Sequence, residues 1–162
     1  MTGGARQVDV PPSVRALSTL ARIDYADTFL VDAGSTQDQN AEHWARQIME
    51  GASLTIRRQL LAGWTAIGLK VGQAPGPSVL GWAVRRSTPD HILLGADSRI
   101  GMPGELLFKR ERGALLFATF VQQNNLLARA VWAITEPAHV RIVRDIMNDA
   151  SRRLRAQDAR RC

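Results

Sequence analysis

Residues 79–123 constrain this chain more than any other stretch. Four runs with a two-residue period, 79–87, 91–98, 104–110 and 114–122, follow one another with little between them. The links are Thr88-Pro89-Asp90, residues 99–103 and Glu111-Arg112-Gly113, all rich in turn formers. Alternation joined by tight turns predicts an antiparallel meander, one sheet with a concave side that another layer must cover. The remaining sequence has to supply that layer.

The predicted faces follow from the alternation, because successive strand side chains point to opposite sides. Leu80, Trp82 and Val84 share a face in the first run, and Gly81, Ala83 and Arg85 the other. In the second run Ile92, Leu94 and Ala96 oppose His91, Leu93 and Gly95. In the third, Leu106, Phe108 and Arg110 oppose Glu105, Leu107 and Lys109. The last run is apolar on both sides, with Leu116, Ala118 and Phe120 against Leu115, Phe117, Thr119 and Val121, which places it centrally or under heavy cover.

Upstream, residues 24–32 carry the aromatic and β-branched content of one more strand, closed by Gly34 and Ser35. Thr36 to Gln39 offer helix caps. Ala41, Trp44, Ala45 and Ile48 then mark an amphipathic helix over 41–50, stopped by Gly51. Ser53 caps a second helix predicted to run from Leu54 to about Val71. Its second half is apolar nearly all round, which predicts burial on more than one side, by the sheet, a partner or a ligand. Residues 1–12 read as loose, and 13–23 as a short helical turn or an extended lead-in.

Downstream of Asn124-Asn125 the period becomes helical through Leu126, Leu127, Ala130, Val131 and Ile134. Pro137 is expected to break or kink this helix, with a new start capped by Thr135 or Glu136. Val140, Val143, Met147, Ala150 and Leu154 form the stripe of a long C-terminal helix, the natural cover for the sheet. The order strand, two helices, four-strand meander, long helix predicts a single α+β domain over 21–156, with a flexible segment at 1–20 and a basic tail at 157–162.

The net charge of +6 comes almost entirely from arginine, since only Lys70 and Lys109 are lysines. The basic residues are scattered except for Arg152, Arg153, Arg155, Arg160 and Arg161, and no RNA-binding motif accompanies them. A solvated helix end is the expectation, and no nucleic-acid partner. The single cysteine, Cys162, excludes an intrachain disulfide. No apolar run reaches the ~18 residues of a membrane span, and residues 1–20 lack the apolar core of a leader, so a cytoplasmic protein is expected.

Catalytic constellations are sparse. The histidines are His43, His91 and His139. Glu136-x-x-His139 is half of a di-iron carboxylate motif, but it has no second copy and Pro137 interrupts it, so no metal is expected. There is no G-x-S-x-G, and loop 72–78 lacks the lysine and following helix of a phosphate loop. No cofactor is predicted.

The element order resembles the helix-grip fold of the START/polyketide-cyclase (SRPBCC) superfamily. More narrowly, the chain looks like a family of uncharacterised START-like bacterial domains common in actinobacteria. The resemblance covers about residues 23–154. It rests on Tyr25-Ala26-Asp27-Thr28-Phe29, on Trp44, Arg57 and Arg58, on Phe117-Ala118-Thr119-Phe120, and on the Trp132-x4-Pro137-x-His139 spacing. It implies a curved sheet wrapped on the C-terminal helix, with an apolar ligand held between them. The chain shows one strand before the helices and four after, fewer than the seven usual in the superfamily.

On that expectation Trp82, Leu94, Phe108 and Phe120 line the sheet side of a pocket, and Trp64, Trp132, Val143 and Met147 the helical side. Plain core packing is the competing role for each. Arg110 follows Leu106 and Phe108 on one face, so it stands either at the pocket mouth as an anion anchor or on a solvated edge. Three functions compete: a ligand-binding domain without defined catalysis; a cyclase or dehydratase-type enzyme that polarises a carbonyl with a buried His or Arg; and a structural domain with a filled core that dimerises through residues 60–69. A cavity with only apolar walls favours the first, an acid or base facing it the second, and no cavity the third.

Overall fold

The computed structural model describes residues 4–34 and 39–161. Among the described residues seven strands form a single sheet: β1 (Arg6–Val8), β2 (Tyr25–Asp32), β3 (Ser78–Val79), β4 (Trp82–Ser87), β5 (His91–Ala96), β6 (Gly104–Glu111) and β7 (Ala114–Val121). Their order is β1-β2-β7-β6-β5-β4-β3, and every neighbouring pair is antiparallel. The described residues also form four helices: α1 (Pro12–Arg15), α2 (Ala41–Met49), α3 (Leu54–Ala66) and α4 (Leu126–Ala159). The α+β class and the meander β4–β7 are those expected, and β7 lies inside the sheet between β2 and β6.

Alternation fixes which side each strand residue takes. Phe29, Val31, Ile92, Leu94, Leu106, Phe108, Leu115 and Phe117 pack with Trp44, Ile48, Val143 and Met147 of α2 and α4. The opposite face carries Leu93, Leu107, Leu116, Ala118 and Phe120. That second face is covered by the N-terminal segment, through Val10, Val14, Leu17, Leu20 and Ile23. Residues 4–20 therefore have a place that their sequence did not reveal; residues 1–3 lie outside the described residues. The reason is local: β1 is three residues long and largely exposed, so it carries no alternation, and α1 buries only Val14.

Glu105 holds that segment down. It lies on the N-terminal side of β6 and is only 2% exposed. Its carboxylate accepts from the Ser18 hydroxyl at 2.6 Å, from the Thr19 amide at 3.1 Å, and from the Thr19 hydroxyl. A buried carboxylate is tolerated only when its oxygens are satisfied, and here local donors from one short turn do this.

Several boundaries move. The run 79–87 is two strands, because Leu80 (φ +46°) and Gly81 (φ +87°) form a two-residue hairpin turn with both residues left-handed. A side chain at Gly81 would also press on the Gly72 amide, at 3.1 Å. Arg85 sits in a bulge, so the alternation of β4 resets between Val84 and Arg86. Helix α2 is capped by Asn40, whose side chain accepts from the His43 amide at 2.8 Å; residues 36–38 of the expected cap lie outside the described residues, as does Cys162. Helix α3 is capped by Ser53 as expected but ends at Ala66, not near Val71, because Gly68 takes φ +86°.

Helix α4 shows no break and no second start at Thr135 or Glu136; it runs through Pro137 to Ala159, so the first three residues of the tail expected at 157–162 are helical. Proline removes the bond to the Ala133 carbonyl, but Ala133 and Pro137 are both exposed, and water can take that bond. Arg153 ties the far end of α4 to α2 by donating to the Gln47 carbonyl at 2.8 Å and to Asp149 at 3.0 Å.

His91, at the start of β5, is held below the ordinary imidazole range, first by burial and then by Arg86 and Lys109. The native state therefore refuses a proton that the unfolded chain accepts, and stability falls as pH drops through the usual imidazole range. Urea melts at about pH 7.5 and pH 5.5, either side of the ordinary value of ~6.5, should show this fall, and His91→Gln should make it shallower.

Candidate functional site

Between the sheet and helices α3 and α4 lies a cavity of about 290 Å³. Its floor is Trp82, Gly104, Leu106, Phe108, Phe117, Thr119 and Val121 from the sheet. One wall is Leu60, Gly63, Trp64 and Ala66 of α3 with Ile67 just beyond its last turn. The other is Trp132, Thr135, Ala138, His139, Ile142, Val143, Ile146 and Met147 of α4. Nearly every lining group is apolar. Gln59, Gly63 and Ala66 of α3 and Ile142 of α4 line it while exposed on the surface, so the mouth opens between these two helices.

This explains the composition of α3. Of its thirteen residues only Leu60 is fully buried. In its apolar half Leu60 and Trp64 pack with the main core, and with Gly63 and Ala66 they line the cavity. Trp64 meets Trp82 edge to face, with ring centroids 5.3 Å apart, and the two indoles close one side of the space.

Of the predicted lining residues, the structure brings Trp64, Trp82, Phe108, Trp132, Val143 and Met147 together around this cavity. Leu94 is on the correct face but packed in the core beside it. Phe120 borders the cavity, yet its side chain belongs to the opposite core, with Leu93 and Leu107. With both faces of β7 apolar, the pattern alone could not separate the two. Arg110 is not at the mouth. It lies beyond Phe108 on β6, in a separate cleft of about 220 Å³ bordered by Trp44, Asp90 and Glu111.

One end of the cavity is polar in a way the sequence did not announce. Asp27 of β2 is 2% exposed. Its Oδ2 accepts from the Tyr25 hydroxyl at 2.8 Å and lies 2.8 Å from Nε2 of His139. Tyr25 and Asp27 are two apart on one strand and so share a face, and His139 comes down onto them from α4. Trp132 closes the group, with its ring 4.9 Å from that of Tyr25 and 5.1 Å from that of His139. The Trp132-to-His139 spacing, two turns of helix, puts both rings on the same side of α4. Burial, and then Asp27, push the Tyr25 hydroxyl well above its ordinary range, so it stays a donor. Thr119, directly opposite Asp27 in the β2–β7 register, also lines the cavity. A signal for this cluster was present: an acid in the middle of an apolar strand must find a partner when buried.

Among the described residues no three His, Cys, Asp or Glu side chains are grouped to hold a metal ion. Nor, among them, is any helix long and apolar enough to cross a membrane. Glu136 and His139 do not form a ligand pair; His139 turns to Asp27 instead. Comparisons with protein-family models, with curated proteins and with solved structures find no match.

Proposed function

We propose that this chain is a START-like, helix-grip domain that binds one small apolar molecule between its sheet and α4, without defined catalysis. The observation that carries the reading is the cavity of about 290 Å³ with its apolar walls. It approaches the ~300–1,000 Å³ range of small-molecule sites and is about twice the ~150 Å³ apolar cavity that accepts benzene. A guest of one or two rings, or a short branched chain, matches it; a large lipid does not. The element sequence β2, α2, α3, β3 to β7, α4 supports the helix-grip assignment. A filled structural core is disfavoured by the same cavity, and an arginine anchor by the distance of Arg110 from it.

Gly63 offers a direct test. It lines the cavity, and a Cβ added there meets nothing within 4 Å. Gly63→Phe should fill the space, and it should hold or raise the melting temperature, because glycine inside a helix costs up to ~1 kcal/mol. Small aromatic polyketides, flavonoids and medium-chain fatty acids would be screened by tryptophan fluorescence and thermal shift. Ligands that stabilise the wild type by mass action should lose at least tenfold in affinity for Gly63→Phe and be unaffected by Arg110→Ala. Equal binding to the Gly63→Phe protein would place the guest elsewhere and end this reading.

A further inference from the structure

The Asp27–His139 pair decides which atom the polar end of the cavity can offer a guest. A carboxylate oxygen only accepts, so the 2.8 Å contact requires His139 to donate from Nε2. The Tyr25 hydroxyl donates to that same oxygen. With the proton fixed on Nε2, the lone pair of the neutral ring sits on Nδ1. His139 lines the cavity, and its Nε2 side is taken up by the sheet. What remains for a guest at this ring is an acceptor, beside the unpaired Trp82 and Trp132 indole N–H groups and the Thr119 hydroxyl of the same lining.

We propose that His139 Nδ1 is the recognition atom of the cavity, and that the ligand is a compact apolar molecule carrying one hydroxyl donor, of the phenol or enol class. This deepens the ligand-binding reading and rests on it. Asp27 and Tyr25 are positioning residues, which act by holding the tautomer. Trp132 packs on the imidazole and limits its rotation. A ligand whose only polar atom is an acceptor, such as an ether, would gain nothing from this ring and would have to turn to the unpaired indole N–H groups of Trp82 and Trp132 or to the Thr119 hydroxyl. A carboxylate would meet both that lone pair and the buried Asp27 charge, which matches the absence of Arg110 from this end.

The test uses three probes of one shape: naphthalene, 2-methoxynaphthalene and 2-naphthol, titrated by tryptophan fluorescence. The wild type should bind 2-naphthol about five- to tenfold more tightly than the methyl ether, the size of one net hydrogen bond. The preference should vanish in His139→Phe and shrink in Asp27→Asn, whose amide can donate to Nε2 and release the tautomer. Should His139→Phe fail to fold, the nitrogen-15 shifts of the His139 ring in the unliganded wild type decide the matter: a protonated Nδ1 overturns the proposal. Equal affinity for naphthol and its ether overturns it too, while leaving the cavity reading intact. Binding of none of the three overturns the cavity reading, and this inference with it.

Discussion

Val143→Asp is expected to leave no folded protein at room temperature. Val143 is 6% exposed, in the middle of the α4 stripe, and faces the sheet among Met147, Phe108 and Phe117. A carboxylate placed there has no cation within the apolar cluster, and burying an unpaired charge costs several kcal/mol or forces the helix off the sheet. That is a large part of the ~5–15 kcal/mol by which domains are usually stable. Circular dichroism and a thermal melt read the outcome, and Val143→Ala provides the control, with a loss nearer 1–2 kcal/mol from the missing methyl groups. A cooperative melt with an unchanged midpoint in the Asp variant would mean that α4 does not cover this sheet.

The second large effect is expected on the other side of the molecule. Glu105→Ala deletes the acceptor for Ser18 and for both donors of Thr19. Hydrogen bonds to a charged group are each worth ~1.5–3 kcal/mol, and the released donors recover part of this from water, so a net loss of about 3 kcal/mol is expected. The change should also free the segment over Leu93, Leu107, Leu116 and Phe120. Limited proteolysis should then cut near residues 15–20 well before the sheet unfolds. Glu105→Gln, which keeps two polar groups in the same shape, should fall between. A variant as protease-resistant as the wild type would show that the N-terminal segment is held by its apolar contacts alone.

Much of this architecture was legible because each period was long and clean. The α2 stripe at Ala41, Trp44, Ala45 and Ile48 is the one that is buried, and the Val143, Met147, Ala150 and Leu154 stripe of α4 packs as its spacing predicts. The failures have physical causes. Strand β1 is too short for a period. The Leu80-Gly81 turn hides inside an apolar run because a leucine occupies a left-handed position where Asn or Gly is usual. Phe120 borders the cavity but packs into the opposite core, a division hidden because β7 is apolar on both faces. The Asp27–His139 contact joins residues 112 positions apart, and no local pattern reports a tertiary pair. Its members nevertheless stood in the two most distinctive stretches of the chain, Tyr25-Ala26-Asp27 and Trp132-x4-Pro137-x-His139.

Helix α3 has a consequence in time rather than in shape. It is anchored by one fully buried side chain, Leu60, and bounded by Gly51 before its cap and left-handed Gly68 after its last turn. Elements with so little buried area open locally at a small fraction of the global unfolding free energy. A guest beneath it need not wait for the domain to unfold before it leaves. On the proposed ligand-binding reading its residence time would be set by how often α3 lifts, so a change that alters only this opening should change entry and exit rates together and leave the equilibrium affinity nearly where it was.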